Sequence, residues 1–263
     1  MPFHGDVINQ FEGYGELAEL DWDAYRSRYS DIRRLDRILE SEGDTVNRYQ
    51  ASKQADTLML GHLFRPAELQ ELFDRLGYRL DDEVWRTTVN YYLTRTSHGS
   101  TLSSLVHGWV LARQKGPDVW RYWEEALLSD VADIQGGTTG EGIHLGAMAG
   151  TLDLVERVVA GLEAGPDGLR IDPIPLQEVP RCSFTFCYRG HRDIRIQFLP
   201  GRVGIRVPLS RLNPPLRVCL PGERLETVAA GEQRWFRLPE RAVRRDNDGR
   251  HSARSTAASP RME

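Results

Sequence analysis

Tyr91-Tyr92-Leu93-Thr94-Arg95-Thr96-Ser97-His98-Gly99-Ser100-Thr101-Leu102-Ser103-Ser104 gathers hydroxyls, a glycine and one histidine directly ahead of an apolar stripe, Leu102, Leu105, Val106 and Trp109. Gln135-Gly136-Gly137-Thr138-Thr139-Gly140-Glu141-Gly142-Ile143-His144 repeats the arrangement before a run with small residues at Gly146, Ala147, Ala149 and Gly150. Each stretch reads as a loop that delivers backbone N–H groups at a helix N-terminus, a ready anion site. Two such loops in one chain predict a pocket for phosphate or another small anion.

Outward from these loops the helical period continues. Val84, Thr88, Tyr91 and Tyr92 mark one helix upstream, and Pro66 opens another through Leu69, Leu72, Phe73 and Leu76, ended by Gly77. Asn47 to Asp56 is polar and leads into Leu58, Met59, Leu60, Leu63 and Phe64, which predicts a buried helix with a polar start. Ile32, Leu35, Ile38 and Leu39 predict a short helix with Asp31 as N-cap and Gly43 as its stop. Met1 to Gly15 has no helical period and reads as an extended wall or loop. Downstream, Pro117 starts a helix bearing Trp120, Trp123, Ala126 and Leu127, and a last helical pattern runs from about Glu141 to Leu162. Short loops between helices predict antiparallel neighbours stacked around a centre.

At Gly165-Pro166-Asp167-Gly168 the pattern changes. Cys182 to Tyr188, Asp193 to Phe198, Val203 to Val207, Leu216 to Leu220 and Gln233 to Leu238 read as strands. The expected fold class is mainly α plus a small antiparallel β-sandwich, with a helical unit over 1–165, a β domain over 166–239 and a disordered tail over 240–263.

The chain has 263 residues, a formal charge of -4 and a pI near 6.0. Without a broad basic field, nucleic-acid binding is not expected, and small polar substrates are. No run approaches the ~18 apolar residues of a membrane span and the N-terminus lacks a signal-like pattern, so a cytoplasmic protein is expected. Cys182, Cys187 and Cys219 lack zinc-like spacing, and the expectation is buried structural thiols and no metal.

Gln10-Phe11-Glu12-Gly13-Tyr14, Ser52-Lys53-Gln54-Ala55-Asp56, Arg95 to Ser103, Gly137 to Gly150 and Tyr188-Arg189-Gly190-His191 together, in this order, resemble the C-terminal half of glycoside hydrolase family 65. That family holds the inverting maltose, trehalose and kojibiose phosphorylases and some hydrolases. The resemblance implies the C-terminal half of an (α/α)6 barrel followed by a small antiparallel β-sandwich. The family's N-terminal β domain and first barrel helices have no counterpart here.

An inverting glycosidase needs an acid for the leaving oxygen and a second carboxylate, set back by one water. An inverting phosphorylase replaces the second with a pocket for its anionic nucleophile. By resemblance the phosphate candidates are His98, Gly99, Ser100, Thr138, Thr139 and His144, and Lys53 and Gln54 hold the glucosyl unit. Plainer readings stand beside these: Lys53 paired with Asp56, His98 bonded to backbone, His144 as a satisfied core histidine. Glu141 is either a base or sugar ligand or a carboxylate favoured by the helix dipole. Glu12 reads as a wall residue, Tyr91, Tyr92, Trp109, Trp120 and Trp123 as core, and His107 as a bonded core histidine.

The family's general-acid glutamate lies upstream, and no residue here matches it. The resemblance therefore implies a fragment of an α-glucoside phosphorylase, nearly inactive alone, whose parent takes a disaccharide and inorganic phosphate without a cofactor. Alternatives are a fragment of a family hydrolase, or a non-catalytic glucoside-binding module that completes a split barrel. Half a barrel exposes apolar faces, so an upstream polypeptide half or a second copy is the expected partner.

Overall fold

A computed structural model describes residues 3–239 apart from 115, 117, 138, 166 and 223, and of Glu141 it describes the backbone alone. The expected tail over 240–263 lies outside the described residues.

The helical part contains α1 (Trp22–Arg28), α2 (Leu35–Ser41), α3 (Met59–Leu63), α4 (Pro66–Arg75), α5 (Asp82–Thr94), α6 (Thr101–Gln114), α7 (Val119–Leu128) and α8 (Leu145–Asp153). α6 is its axis. From Ser103 to Ala112 every residue of α6 is buried, because apolar and small residues occupy all sides and α3, α5, α7 and α8 pack around it. Gly108 lets α7 approach: a Cβ there would lie 3.3 Å from Tyr122. Trp109, Val89, Tyr92, Leu58 and Ala126 close one core around this axis, as Leu105, Val106 and Trp109 of the expected stripe predict, whereas Leu102, the first residue of that stripe, is exposed. Tyr91 and Trp120 are half-buried against it.

The N-terminal segment folds as a two-stranded hairpin, β1 (Phe3–His4) and β2 (Val7–Ile8), followed by a turn of 3-10 helix over Tyr14–Glu16. It is pinned to α5 by Tyr92, whose hydroxyl donates to the Ile8 carbonyl at 2.8 Å, and by Thr88, whose Oγ1 accepts from the Ile8 N–H at 3.1 Å.

Several local expectations fail for identifiable reasons. Asp31 does not cap α2, because its carboxylate accepts from the Arg33 N–H and pairs with the Arg33 guanidinium, turning the chain before Leu35. The polar run before Leu58 is not α-helical, having only short 3-10 turns at its two ends, Val46–Arg48 and Asp56–Leu58. Ser52 instead makes a parallel bridge with Thr96, and regular helix begins only after a 3-10 turn at Asp56–Leu58. The last helix starts at Leu145 rather than Glu141, and beyond Asp153 it widens into a π-helix, Leu154–Val159. Helix α1 was not anticipated, since it buries only Trp22 and has no apolar period.

The β part forms two four-stranded sheets. One has the order β10 (Gln233–Arg237), β7 (Arg202–Arg206), β6 (His191–Leu199), β5 (Cys182–Tyr188), all antiparallel. The other has the order β3 (Leu162–Ala164), β4 (Leu169–Ile171), β8 (Leu216–Leu220), β9 (Arg224–Val228). In the second sheet β4 runs parallel to β8, with Leu169 opposite Val218, so the β part is not purely antiparallel. Strands β3 and β4 form a hairpin across Gly165, where the change of composition falls. Ile194, Ile196 and Ile205 of one sheet and Ile171, Val218 and Val228 of the other, all fully buried, share a single core. The thiols are not uniformly buried: Cys219 is, Cys182 is half-buried and Cys187 is exposed, because alternation along β5 puts residues of its outer face in solvent.

The two parts meet at the π-helix. Ile174 donates its N–H to the Val158 carbonyl at 3.1 Å, and Arg65 pairs with Glu163 at 3.5 Å. No helix among the described residues is long and apolar enough to cross a membrane.

Candidate active site

Three backbone hydrogen bonds tie the loop around Lys53 to the loop before α6. Ser52 donates to the Arg95 carbonyl at 2.9 Å, Ser97 to the Ser52 carbonyl at 2.8 Å, and Gly99 to the Lys53 carbonyl at 3.0 Å. Gly99 is required there, since a Cβ would sit 2.3 Å from the Arg33 carbonyl oxygen and 3.0 Å from the Lys53 side chain. Gln135 joins the second loop by donating from Nε2 to the His98 carbonyl at 3.2 Å.

These links form a cleft of about 610 Å³, lined by Gln10, Arg34, Ser52, Lys53, Gln54, Asp56, Gly99, Ser100, Thr101, Gln135 and His144 among others. The N–H groups of Ser100 and Thr101, at the start of the 14-residue α6, have no acceptor among the described residues. Lys53 is exposed and makes no ion pair among the described residues. It does not pair with Asp56: the Asp56 carboxylate accepts from Gln54 Nε2 at 3.0 Å, and its N–H donates to Gln10 Oε1 at 2.7 Å. Burial pushes the Asp36 carboxyl up, but hydrogen bonds from the Arg34 side chain and the Arg37 N–H, with the charges of Arg34 and Lys53, bring it below the usual range.

His144 sits at the N-cap position of α8 and is not a core residue. Its Nδ1 lies 2.6 Å from Asp130 Oδ1 and its N–H donates to Asp130 Oδ2 at 2.9 Å. The bond to His144 holds the Asp130 carboxyl below its usual range. Thr139 turns away: its N–H donates to Asp133 at 3.2 Å and its hydroxyl to the Asp130 carbonyl at 3.2 Å. Thr138 lies outside the described residues, and so does the Glu141 side chain.

His98 has a left-handed backbone, φ 55°, which a non-glycine residue adopts only when its surroundings hold it. Its ring is not part of the cleft lining. It packs edge-on against His107 at 4.7 Å and tilted against Tyr122 at 5.4 Å, and Nδ1 lies 2.9 Å from Ser103 Oγ. Burial pushes His98 down to about 3, aided by His107, Arg121, Arg33 and Arg26. Burial likewise pushes His107 down to about 4, opposed by its hydrogen bond to the Ser103 backbone. His107 is a bonded core histidine, as the sequence suggests.

Both rings are neutral at pH 7. Unfolded histidine takes up its proton near ~6.5, whereas the folded chain resists protonation, so the stability these rings confer is complete above ~6.5 and is lost as pH falls toward their folded values. The denaturation midpoint in urea is expected to drop between about pH 6.5 and 5, above the ordinary carboxylate range. A His98→Asn variant should show a shallower drop, and an equal slope in both proteins would contradict the assignment.

Sequence reading thus finds Lys53, Gln54, Gly99, Ser100 and His144 in one cleft. It misses Arg34 and Asp130, which no local pattern marks, and it takes Gln10 only as part of a motif.

Comparison with known proteins adds the family. Residues 1–153 match the glycosyl hydrolase family 65 central catalytic domain, and residues 162–227 match the C-terminal domain of the same family. The chain belongs to glycosyl hydrolase family 65. An uncharacterized glycosyl hydrolase of Mycobacterium tuberculosis is 57% identical over 192 residues, 73% of this chain and 14% of the relative. A trehalose 6-phosphate phosphorylase of Lactococcus lactis is 37% identical over 185 residues, 70% of this chain and 24% of the relative. A solved structure described as a kojibiose phosphorylase from the human microbiome superposes with a TM-score of 0.65 at 20% identity, covering 88% of this chain and 28% of that one, which is a likeness of fold. The matched regions make up 14% and 24% of the two curated relatives and 28% of the solved structure, so the chain spans only a part of their length.

Proposed function

We propose that this chain supplies the phosphate-holding side of the active site of an inverting α-glucoside phosphorylase. The cleft carries this reading. Its described lining offers one lysine, one arginine, a histidine at a helix N-cap and free N–H groups at the start of α6, against a single carboxylate. That carboxylate, Asp56, is engaged by Gln54, and its backbone N–H by Gln10, so it is poorly placed to serve as the base that an inverting hydrolase needs. A wall whose described residues offer anion-binding groups and no free base suits a nucleophile that arrives already charged.

In this reading the Ser100 and Thr101 N–H groups, the Ser100 hydroxyl and His144 hold inorganic phosphate, while Lys53 and Gln54 bind hydroxyls of the glucosyl ring. A phosphate oxygen attacks the anomeric carbon and the bond to the leaving sugar oxygen breaks with inversion. A carboxylic acid from outside this chain delivers the proton to that oxygen. The products are β-glucose 1-phosphate and the released sugar. Pre-positioning phosphate and sugar supplies much of the rate, and it needs both walls. Maltose, trehalose and kojibiose type disaccharides are the proposed substrate class, and relatives named as trehalose 6-phosphate and kojibiose phosphorylases support its trehalose and kojibiose members.

The remaining wall is assigned to further helices of the barrel. Leu102 of α6, Ile143 in the loop before α8, and Leu145 and Leu152 of α8 are exposed apolar residues, beside a groove floored by Met59, Leu105, Ala149 and Gly150. Such exposure calls for a covering element. The test completes the barrel with the matching upstream region of a family phosphorylase and supplies disaccharide with and without phosphate. Sugar phosphate formed only with phosphate present supports the proposal. Phosphate-independent release of glucose would make the site a hydrolase.

A further inference from the structure

We infer that the outer face of the β10-β7-β6-β5 sheet is a binding platform for an acidic saccharide chain, with Trp235 as its stacking surface and Arg195, Arg202, Arg206 and Arg237 as its anion-binding groups. The inference is independent of the phosphate cleft.

Ile194, Ile196, Phe198, Val203, Ile205 and Phe236 face the core of the β part, so alternation turns their neighbours outward. The register then sets three cross-strand rows on the outer face. Trp235, Gly204, Gln197 and Ser183 form the middle row. Gln233, Arg206, Arg195 and Thr185 stand on one side of it, and Arg237, Arg202 and Leu199 on the other. Trp235 is 43% exposed, yet its ring is laid down on the sheet: a Cβ on Gly204 would come within 2.8 Å of indole Cε2, Cζ2 and Cη2. Glycine at 204 makes room for the ring. The Arg202 guanidinium lies over the indole at 4.9 Å, and Arg195 Nε donates to Ser183 Oγ at 3.4 Å, which draws that guanidinium toward the middle row.

Arginine is set directly opposite arginine twice, Arg206 against Arg195 and Arg237 against Arg202. Like charges in opposed positions destabilise a sheet. All four are exposed, and none forms an ion pair among the described residues, whereas Arg234, on the other face of β10, pairs with Glu226 at 3.3 Å and Glu232 at 3.5 Å. The one carboxylate in the four strands, Asp193, lies toward the β5–β6 turn and pairs with none of them. On a chain of net charge -4 this face is a local field of the opposite sign.

An anion laid across either pair replaces the repulsion with charge-assisted hydrogen bonds. The pairs are four residues apart along β7, roughly 13 Å, with the indole between them. That spacing suits an extended ligand in which a ring alternates with negative groups. The negative face of the indole attracts the C–H groups of a pyranose, and Gln197, Gln233 and Ser183 offer partners for its hydroxyls. Sheet platforms for single-stranded nucleic acid stack successive bases on several aromatic side chains. Trp235 is the only Trp, Tyr or Phe ring among the described residues of this face.

Isothermal titration calorimetry of the whole chain with an oligogalacturonate tests the inference, beside a neutral maltooligosaccharide and an oligothymidylate of matching length. The expected result is saturable binding of the oligogalacturonate, with both other ligands at least about tenfold weaker. Trp235→Ala and Arg206→Gln should each weaken that binding about tenfold, the worth of one stacking contact or one charged hydrogen bond. Urea unfolding separates binding from folding. Without ligand, Arg206→Gln should unfold at or above the wild-type midpoint, because it relieves a like-charge pair, and a lower midpoint would make the arginine structural and overturn the inference. Absent binding, equal binding of the neutral sugar, tighter binding of the oligothymidylate, or oligogalacturonate affinity unchanged in both variants would overturn it as well.

Discussion

Gly99→Ala is expected to separate the two loops of the cleft, costing about 1–3 kcal/mol of stability, the range for overpacking a tight site, and weakening phosphate binding by an order of magnitude or more. The added methyl would meet the Arg33 carbonyl oxygen at 2.3 Å, a backbone atom that cannot swing aside as a side chain end could. On its other side it meets Lys53 Cγ at 3.0 Å. Either the turn before α6 or the Lys53 loop must move, and the Gly99 N–H bond to the Lys53 carbonyl is one of the three backbone bonds that join them. Gly146→Ala serves as the control, because its Cβ meets only Leu102 at an ordinary 3.7 Å and alanine is the better helix former. Urea unfolding should place Gly99→Ala clearly below the wild type and Gly146→Ala at or slightly above it. Equal midpoints for Gly99→Ala and wild type would show that the loops are not in fact coupled at this point.

Trp109→Ala should be the most damaging single change in the helical core, at about 3–5 kcal/mol, the usual cost of truncating a buried tryptophan. Trp109 is fully buried in the middle of α6, with His62 edge-on at 4.6 Å and the guanidiniums of Arg157 and Arg113 over its ring at 4.4 and 5.3 Å. Removing it empties the centre of the core and leaves two cations without the ring they cover. Its Nε1 has no hydrogen-bond partner among the described residues, so Trp109→Phe forfeits volume and ring area but strands no acceptor there. Phenylalanine should therefore recover much of the loss. Since domains are stable by only about 5–15 kcal/mol, the alanine variant is expected to be substantially unfolded at 37 °C by circular dichroism, and a melting curve like that of the wild type would contradict the role given to α6.

Much of this was legible in the sequence wherever a signal is local. The α6 stripe, the hydroxyl-rich loops before α6 and α8, and the strands Cys182–Tyr188 and Leu216–Leu220 follow from periodicity and turn residues. The family resemblance read from the ordered motifs is confirmed by the matches to both domains. What stayed hidden depends on partners distant in the chain. Lys53 and Gln54 look like the start of a buried helix until Ser52 is seen to bridge to Thr96, a pairing that no local pattern encodes. His98 looks like a ligand aimed at the cleft until Ser103, His107 and Tyr122 are found holding its ring. Arg34 enters the cleft because Asp31 turns the chain early, and Asp130 meets His144 at a separation of 14 positions in the chain. Strands β3 and β4 are too short, at three residues each, to show alternation. Helix α1 carries a usable sign, since Asp21 accepts from the Ala24 N–H as an N-cap should, but without an apolar stripe the cap alone did not identify it.

The central claim is that the turn before α6 and the start of α8 form one phosphate site. Titrating inorganic phosphate into the nitrogen-15-labelled chain tests it most directly, because amide shifts report each N–H separately. The expected result is a saturable change at Ser100, Thr101 and His144, with Lys53 and Gln54 responding to added glucose and not to phosphate. Phosphate shifts that do not saturate, or that fall outside this cleft, would contradict the account.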